Sequence, residues 1–195
     1  MTEPTLQATL SQEHPSAETS DESLMLGFQR GSAEAFTELF ARYRGPIYGF
    51  FRRRLTDASR AEELCQETFI AILRGAARYE LRATFRTYLY AIAMKQLFAE
   101  RRRSARSEQN IVDPPDLQTP AADTDAAIWV RHAIGQLEPD HRDVLLLREY
   151  EELSYEEIGA LLHLPVNTVR SRLFRARMAL RDRLLPPRPE SRNKP

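Results

Sequence analysis

Residues 153–180 read LSYEEIGALLHLPVNTVRSRLFRARMAL. Two runs with apolar residues at three- and four-residue spacing flank a break at His163–Pro165. Proline cannot sit inside a helix without cost, so the break ends one helix and starts another. With so few residues between them, the two helices must pack on each other. On a helix that advances about 100° per residue, Val169, Leu173, Ala176, Leu180 and Leu184 fall within roughly 80°. That stripe needs a partner. Ile158, Leu161 and Leu162 of the preceding helix supply one, and Gly159 and Ala160 permit a close neighbour. Ser154 and Glu157 form a capping box at the start of the first helix. The second helix is predicted from about Thr168 to Leu184.

The second helix carries six arginines against one acid, Asp182, and pairing at i,i+4 is nearly absent. Opposite the apolar stripe lie Asn167, Arg170, Ser171, Phe174 and Arg175, with Arg172, Arg177, Arg181 and Arg183 on the flanks. A helix-turn-helix puts the N-terminal part of this exposed face into the DNA major groove. Arginine makes a bidentate contact to guanine or grips phosphate, and asparagine reads adenine. Ser171 suits a phosphate or a base edge, and Phe174 a thymine methyl. The competing reading is an ordinary solvated helix with arginine on its wet face. The near-absence of acid–base pairing within the helix, together with the turn and the capping box, favours DNA.

The rest of the chain is also helical in pattern. Residues 1–20 are polar and acidic, with Pro4 and Pro15, and read as a disordered tail. A first domain is expected over 21–103. Ser32 is placed to cap a helix carrying Phe36, Leu39, Phe40 and Tyr43, which Pro46 bends or restarts. Ser59 and Glu62 suggest a capping box for the next helix, with Cys65, Phe69, Ile72 and Leu73. A loop near Gly75–Ala83 precedes a helix from about Phe85 to Arg103, with Phe85, Leu89, Ile92 and Ala99 on one side. Residues 104–123 hold three prolines and little apolar content, and read as a flexible linker. A second domain over 124–185 holds four short helices. The first is marked by Ala127, Val130, Ile134 and Leu137, and Pro139 opens the second. Trp129 is expected in the core or an interface of this domain. Residues 186–195 read as a second disordered tail. The fold class is therefore all-α: two small helical domains joined by a flexible linker, the second a helix-turn-helix domain.

Whole-chain charge is zero, with 28 basic and 28 acidic residues, so only its distribution informs. The acidic start and the arginine-dense segments 101–106 and 170–183 suggest a polyanion-binding protein. A single cysteine, Cys65, precludes an internal disulfide and reads as a small core residue. The four histidines are scattered and form no zinc motif, and no phosphate loop or nucleophile–base set stands out. No metal, cofactor or catalytic group is expected. The N-terminus is unlike a signal peptide, and no apolar run approaches the roughly 20 residues of a spanning helix. A cytoplasmic location without membrane insertion is expected.

Residues 153–180 closely resemble region 4 of the extracytoplasmic-function, or group IV, sigma factors of the sigma-70 family. AEELCQETFIAIL (61–73) resembles region 2.2, and TFRTYLYAIAMKQLFAERRR (84–103) resembles regions 2.3 and 2.4. The resemblance implies a subunit that binds core RNA polymerase and directs initiation at promoters with −10 and −35 elements. It implies that the first domain docks on the clamp helices and melts the −10 element, and that the second binds the β flap and reads the −35 element. Carried over by position, Glu63, Gln66 and Glu67 face polymerase. Tyr79, Tyr88, Lys95, Arg101, Arg102 and Arg103, with Arg106 behind them, serve the −10 element, and Phe85 belongs to the core. Asn167, Thr168, Arg170, Ser171, Arg172, Phe174 and Arg175 serve the −35 element. An anti-sigma factor is the implied inhibitor, with the linker letting the domains close on it or open across a promoter. Tyr88 stands where the family usually has tryptophan, Lys95 where asparagine is common, His163 at the turn glycine and Asn167 at the glycine of PxGTV. These changes point to an altered promoter sequence. Without the resemblance, a dimeric helix-turn-helix repressor is the alternative.

Overall fold

The computed structural model describes residues 19–107 and 125–185. Among these, all regular elements are helical: α1 Asp21–Gln29, α2 Ala33–Arg52, α3 Ala58–Gly75, α4 Phe85–Ser107, α5 Asp125–Gly135, α6 Pro139–Glu149, α7 Tyr155–Leu162 and α8 Val166–Leu184, with a 3-10 turn at Ala76–Arg78. Nearly all of the acidic tail, most of the linker and the C-terminal tail lie outside the described residues. Helix α4 runs to Ser107, so the first residues assigned to the linker are helical.

Helix starts follow short polar side chains. Ser32 Oγ accepts from the Ala35 amide at 3.2 Å. Helix α3, however, starts beneath Asp57, whose carboxylate accepts from the Ser59 amide at 2.8 Å. The expected Ser59–Glu62 box is not used, because Asp57 already caps the helix two residues earlier. Nor does Pro46 restart its helix. Helix α2 is a single element through it. The proline removes one donor, and buried Ile47, Phe50 and Phe51 hold the C-terminal half against the core.

The first unit (α1–α4) packs around Met25, Leu39, Phe50, Phe51, Leu64, Ile72, Phe85 and Leu89. On α4 the buried series is Phe85, Leu89, Ala93 and Leu97, whereas Ala99 is exposed, contrary to the predicted stripe. Alanine weighs so little in either environment that its place in an apolar period is weakly determined. Cys65 is buried, and burial pushes its thiol up to about 11, as suits an inert core residue. In the second unit (α5–α8), five successive residues of α6, Asp143–Leu147, are buried, so the middle of α6 is surrounded on all sides. Trp129 is 59% exposed and outside the core, because α5 turns Ala133 and Ile134 inward instead.

The turn between α7 and α8 sets the angle of the last helix. Both halves of the Ser154–Glu157 capping box are formed. At the other end of α7, His163 is left-handed, with φ 55° and ψ 46°. Its amide and that of Leu164 both reach the Gly159 carbonyl, the latter at 2.8 Å. A Cβ on Gly159 would lie 2.8 Å from the Leu164 carbonyl oxygen, so only glycine allows the chain to fold back this tightly. Helix α8 then begins at Val166, two residues before the predicted start, with Pro165 at its N-cap.

The two units are packed against each other, and the contact is ionic. Arg54 of α2's C-terminal turn has a fully buried side chain. Its Nη1 is 3.2 Å from Glu151 Oε1 and its Nε 3.6 Å from Asp143 Oδ1. Arg53 reaches Glu151 at 3.0 Å, and Arg101 grips both oxygens of Asp143. Arg86 donates to the Glu151 carbonyl, and Thr87 donates to Glu157 at 2.6 Å.

A left-handed non-glycine residue costs roughly 1–2 kcal/mol, partly offset in glycine by chain entropy of about 0.5–1 kcal/mol. His163→Gly should therefore raise stability by roughly 0.5–1 kcal/mol, while His163→Val should lower it. Gly159→Ala should cost about 1–3 kcal/mol by forcing the turn apart. Urea denaturation of the three variants reads each effect.

Candidate nucleic-acid interface

Helix α8 buries Val169, Leu173 and Ala176, and this fixes what points away. Asn167, Arg170, Ser171, Phe174 and Arg175 are all exposed on the opposite side, Phe174 at 63%. The Arg170 guanidinium lies 5.8 Å from the Tyr155 ring centroid, a cation–π approach that restrains it without neutralising it. Among the described residues, Arg175 has no hydrogen-bonding or charged partner. Ser171 Oγ donates to the Thr168 carbonyl at 3.0 Å, so its hydroxyl proton is engaged and its lone pairs are what it offers. Thr168 is half-buried at the base of the face. Asn167 sits inside the first turn, after the N-cap, and does not cap the helix.

The flanking arginines behave differently. Arg172 pairs with Asp140 at 2.7 Å and Arg177 with Glu149 at 2.6 Å, both on α6. Arg172 is thus held by α6 and does not stand free with the outward set. Its acidic partner is distant in sequence, which a search at i,i+4 does not detect.

On α4, Tyr88, Ala91, Lys95, Ala99 and Arg102 follow one another at three- and four-residue steps and form one stripe. Ala91, Lys95, Ala99 and Arg102 are exposed, and Tyr88 is half-buried. The small Ala91 and Ala99 on either side of Lys95 leave room for a backbone to lie close. Arg103 is exposed and 3.3 Å from Glu100. Arg101 does not belong to this face. It points toward the second unit and is committed to Asp143.

Tyr79 is only 5% exposed and is not available to stack on an unpaired base. Its ring lies 5.1 Å from Tyr88 and 6.4 Å from Phe85, and its hydroxyl reaches the Ala83 carbonyl. Gln29 fastens the same turn by donating to the Ala76 and Tyr79 carbonyls at 2.7 and 2.9 Å. Phe85 is fully buried, as expected of a core residue. The exposed part of this loop is Glu80–Thr84.

Along the outer face of α3, Glu63, Gln66 and Glu67 are exposed. Arg60 ties Glu63 at 2.7 Å, Glu67 at 3.3 Å and, from α4, Glu100 at 2.7 Å. Ile70 and Leu73, both well exposed, continue this side of the helix. Sequence reasoning missed this apolar extension by assigning Leu73 to the core; the signal that marks it is spacing, Ile70 lying at i+7 from Glu63 and i+3 from Glu67, and Leu73 at i+7 from Gln66.

Comparison with known proteins bears on both units. Residues 39–107 match the family described as Sigma-70 region 2, and residues 127–180 match Sigma-70, region 4. The RNA polymerase sigma-H factor of Pseudomonas aeruginosa is 36% identical over 183 residues, covering 86% of this chain and 94% of that protein. The RNA polymerase sigma factor CarQ of Myxococcus xanthus is 36% identical, covering 80% and 93%. The ECF RNA polymerase sigma-E factor of Escherichia coli is 30% identical, covering 88% and 97%. Among solved structures, CnrH in complex with the cytosolic domain of CnrY aligns with a TM-score of 0.65 at 25% identity, covering 84% of this chain and 96% of that one. The fold is also that of the sigma factor RpoE of Bartonella quintana, solved with the anti-sigma factor NepR, at a TM-score of 0.68 and 20% identity, covering 78% and 98%.

Two carboxylates in these surfaces titrate low. The Arg60 hydrogen bond holds Glu100 below its ordinary value of 4.5. Burial works to raise Glu157, but hydrogen bonds from Thr87, Ser154 and Thr84 outweigh it and the net shift is downward. A carboxyl lowered in the folded state adds stability above its unfolded value and loses it as pH falls through the folded value. Thermal stability should therefore stay level from pH 7 to about 5 and drop below about 4.5. Glu100→Gln with Glu157→Gln should start lower at pH 7 and show a shallower acid drop, measured by circular dichroism melts.

Proposed function

The chain belongs to the sigma-70 family of RNA polymerase sigma factors, in its extracytoplasmic-function group, and we infer from its surfaces how it divides the work of promoter recognition. A sigma factor binds core RNA polymerase and directs initiation at promoters with −10 and −35 elements. The second unit reads the −35 element through α8. The outward set Asn167, Arg170, Ser171, Phe174 and Arg175, opposite buried Val169, Leu173 and Ala176, is the observation that carries this reading. Arg170 and Arg175 read bases or grip phosphates, Asn167 supplies an amide to a base edge, and Phe174 lies against a thymine methyl. Thr168 and the α6-bound Arg172 shape the edges of the face.

The first unit (21–107) serves the −10 element. Lys95 and Arg102, with Arg103 beside them, hold phosphates along the α4 stripe. The half-buried Tyr88 offers an aromatic edge, and Glu80–Thr84 is the segment free to meet a displaced strand. Glu63, Gln66 and Glu67 dock on the polymerase clamp helices, and Arg60 holds two of these carboxylates in place before docking. A charged face of this kind favours an interface that is made and broken in each cycle. The second unit takes the β flap. A protein inhibitor of the anti-sigma class covers these surfaces when the factor is idle. Among the described residues no helix is long and apolar enough to cross a membrane. The protein works in the cytoplasm, by binding and without catalysis.

Core polymerase reconstituted with this chain should start RNA from a cognate promoter selected from genomic fragments. Neither component alone should do so. A repressor would give no transcript in this assay. Arg170→Ala and Arg175→Ala should each weaken −35 recognition by about 1–3 kcal/mol where the residue contacts a base. Unchanged promoter selectivity in both variants would remove α8 from the reading.

A further inference from the structure

We propose that helix α1 sets the base selectivity of the −10 loop, with Gln29 and Glu22 as positioning residues that hold the two ends of the loop without touching DNA. The proposal rests on the reading of Glu80–Thr84 as the segment that meets a displaced strand, and deepens it.

The loop runs from the 3-10 turn at Ala76–Arg78 to the start of α4. Both of its ends are tied to α1, far upstream in the chain. At the near end, Gln29 Nε2 donates to the Ala76 and Tyr79 carbonyls at 2.7 and 2.9 Å. One amide nitrogen spends both hydrogens on two carbonyls, which a carboxylate in its place could not do. At the far end, the Glu22 carboxylate accepts from the Phe85 amide at 2.9 Å. That amide opens α4 and has no partner within the helix. Thr84 Oγ1 takes the Thr87 amide at 3.2 Å beside it. Glu22 therefore fixes where the loop ends and the helix begins.

The two posts share one support. Glu22 and Gln29 are seven positions apart, two helical turns, and so lie on one face of α1 about 10.5 Å apart along its axis. Helix α1 is itself seated on α2. The Asp21 carboxylate accepts from Arg42 Nη1 at 2.9 Å and from the Tyr43 hydroxyl. Met25, between the posts, is fully buried. Moving either post means breaking these contacts.

What lies between the posts is bowed outward. The run from Tyr79 to Phe85 could extend to about 20 Å, twice the separation of the posts. The excess folds into an arch. The Tyr79 hydroxyl donates to the Ala83 carbonyl at 3.3 Å, and the Arg82 amide donates to the Glu80 carbonyl at 2.7 Å. Leu81 stands on the arch, 59% exposed, with exposed Arg82 beside it. Leucine offers an apolar contact to the face of an unpaired base, and arginine a charge to its phosphate. An arch held at both feet has already lost the freedom that a loose loop gives up on binding. Selectivity gains most from this. A loop that can shift accommodates a wrong base, whereas a fixed one leaves the polar edge of that base unpaired.

The test uses holoenzyme assembled from core polymerase and the full chain. The probe is duplex through the −35 element and single-stranded across the −10 non-template strand. It is made with the promoter's own base, or each of the other three, at every −10 position. Gln29→Ala and Glu22→Ala should each lower the preference for the promoter's own base at least fivefold at one or more positions. Affinity for core and for the −35 duplex alone should stay at the parent's level in both. Glu22→Gln, whose amide oxygen still accepts from Phe85, should keep the parent's preference. Full discrimination in both alanine variants, or equal losses on every probe and on core, overturns the positioning role. Leu81→Ala with Arg82→Ala separates that role from the reading beneath it. If this pair keeps full discrimination, the loop reading fails and the positioning role falls with it. If the pair lowers discrimination while Gln29→Ala and Glu22→Ala do not, the loop reading stands and the role of α1 alone is overturned.

Discussion

A guanidinium with no access to water must be answered by the protein, and Arg54, whose Nη1 donates to the Phe50 carbonyl of α2, meets its carboxylates across the boundary between the two helical units. Its carboxylate partners, Glu151 and Asp143, are themselves buried. Burial lowers the Arg54 guanidinium from its ordinary value, against the pull of both acids, yet not far enough to discharge an arginine. The group is therefore a charge in a dry place. Its ring contact with Phe50, 3.9 Å from guanidinium to centroid, adds dispersion and some cation–π attraction but no hydrogen bond. A buried donor left unpaired costs about 1–3 kcal/mol. The turn after α6 presents Glu151 to this residue, and two further contacts cross the same boundary beside it: Arg101 on Asp143, and Thr87 at the start of α4 on Glu157 of α7.

Within the second unit a different constraint governs. Helix α8 can bury Val169, Leu173 and Ala176 only if it leaves α7 at a steep angle. The left-handed His163 and the missing Cβ of Gly159 supply that angle. Once the inner stripe is fixed, the outer one is fixed too, because a helix has no freedom to present another face. The outward set on α8 is in this sense a by-product of a turn. Arg170 and Arg175 face outward because they lie opposite the core stripe, and Arg172 and Arg177 are drawn to α6 because they lie beside it.

Helix type and order were legible in the sequence because apolar spacing, a capping box and first-turn proline are local signals. The outward face of α8 was legible for the same reason. What was not legible depends on distant partners. Arg101 and Arg102 are neighbours of identical chemistry, and only a carboxylate 42 positions away separates their roles. Tyr79 lies in a loop, where an aromatic side chain is as well suited to a core as to a base. Gln29 decides the matter by fastening that loop to α1. The Ser59–Glu62 pattern failed because Asp57 competes for the same helix start, and the core placement of Trp129, though not an interface one, because amphipathicity on a short helix does not say which of two apolar sides is inside.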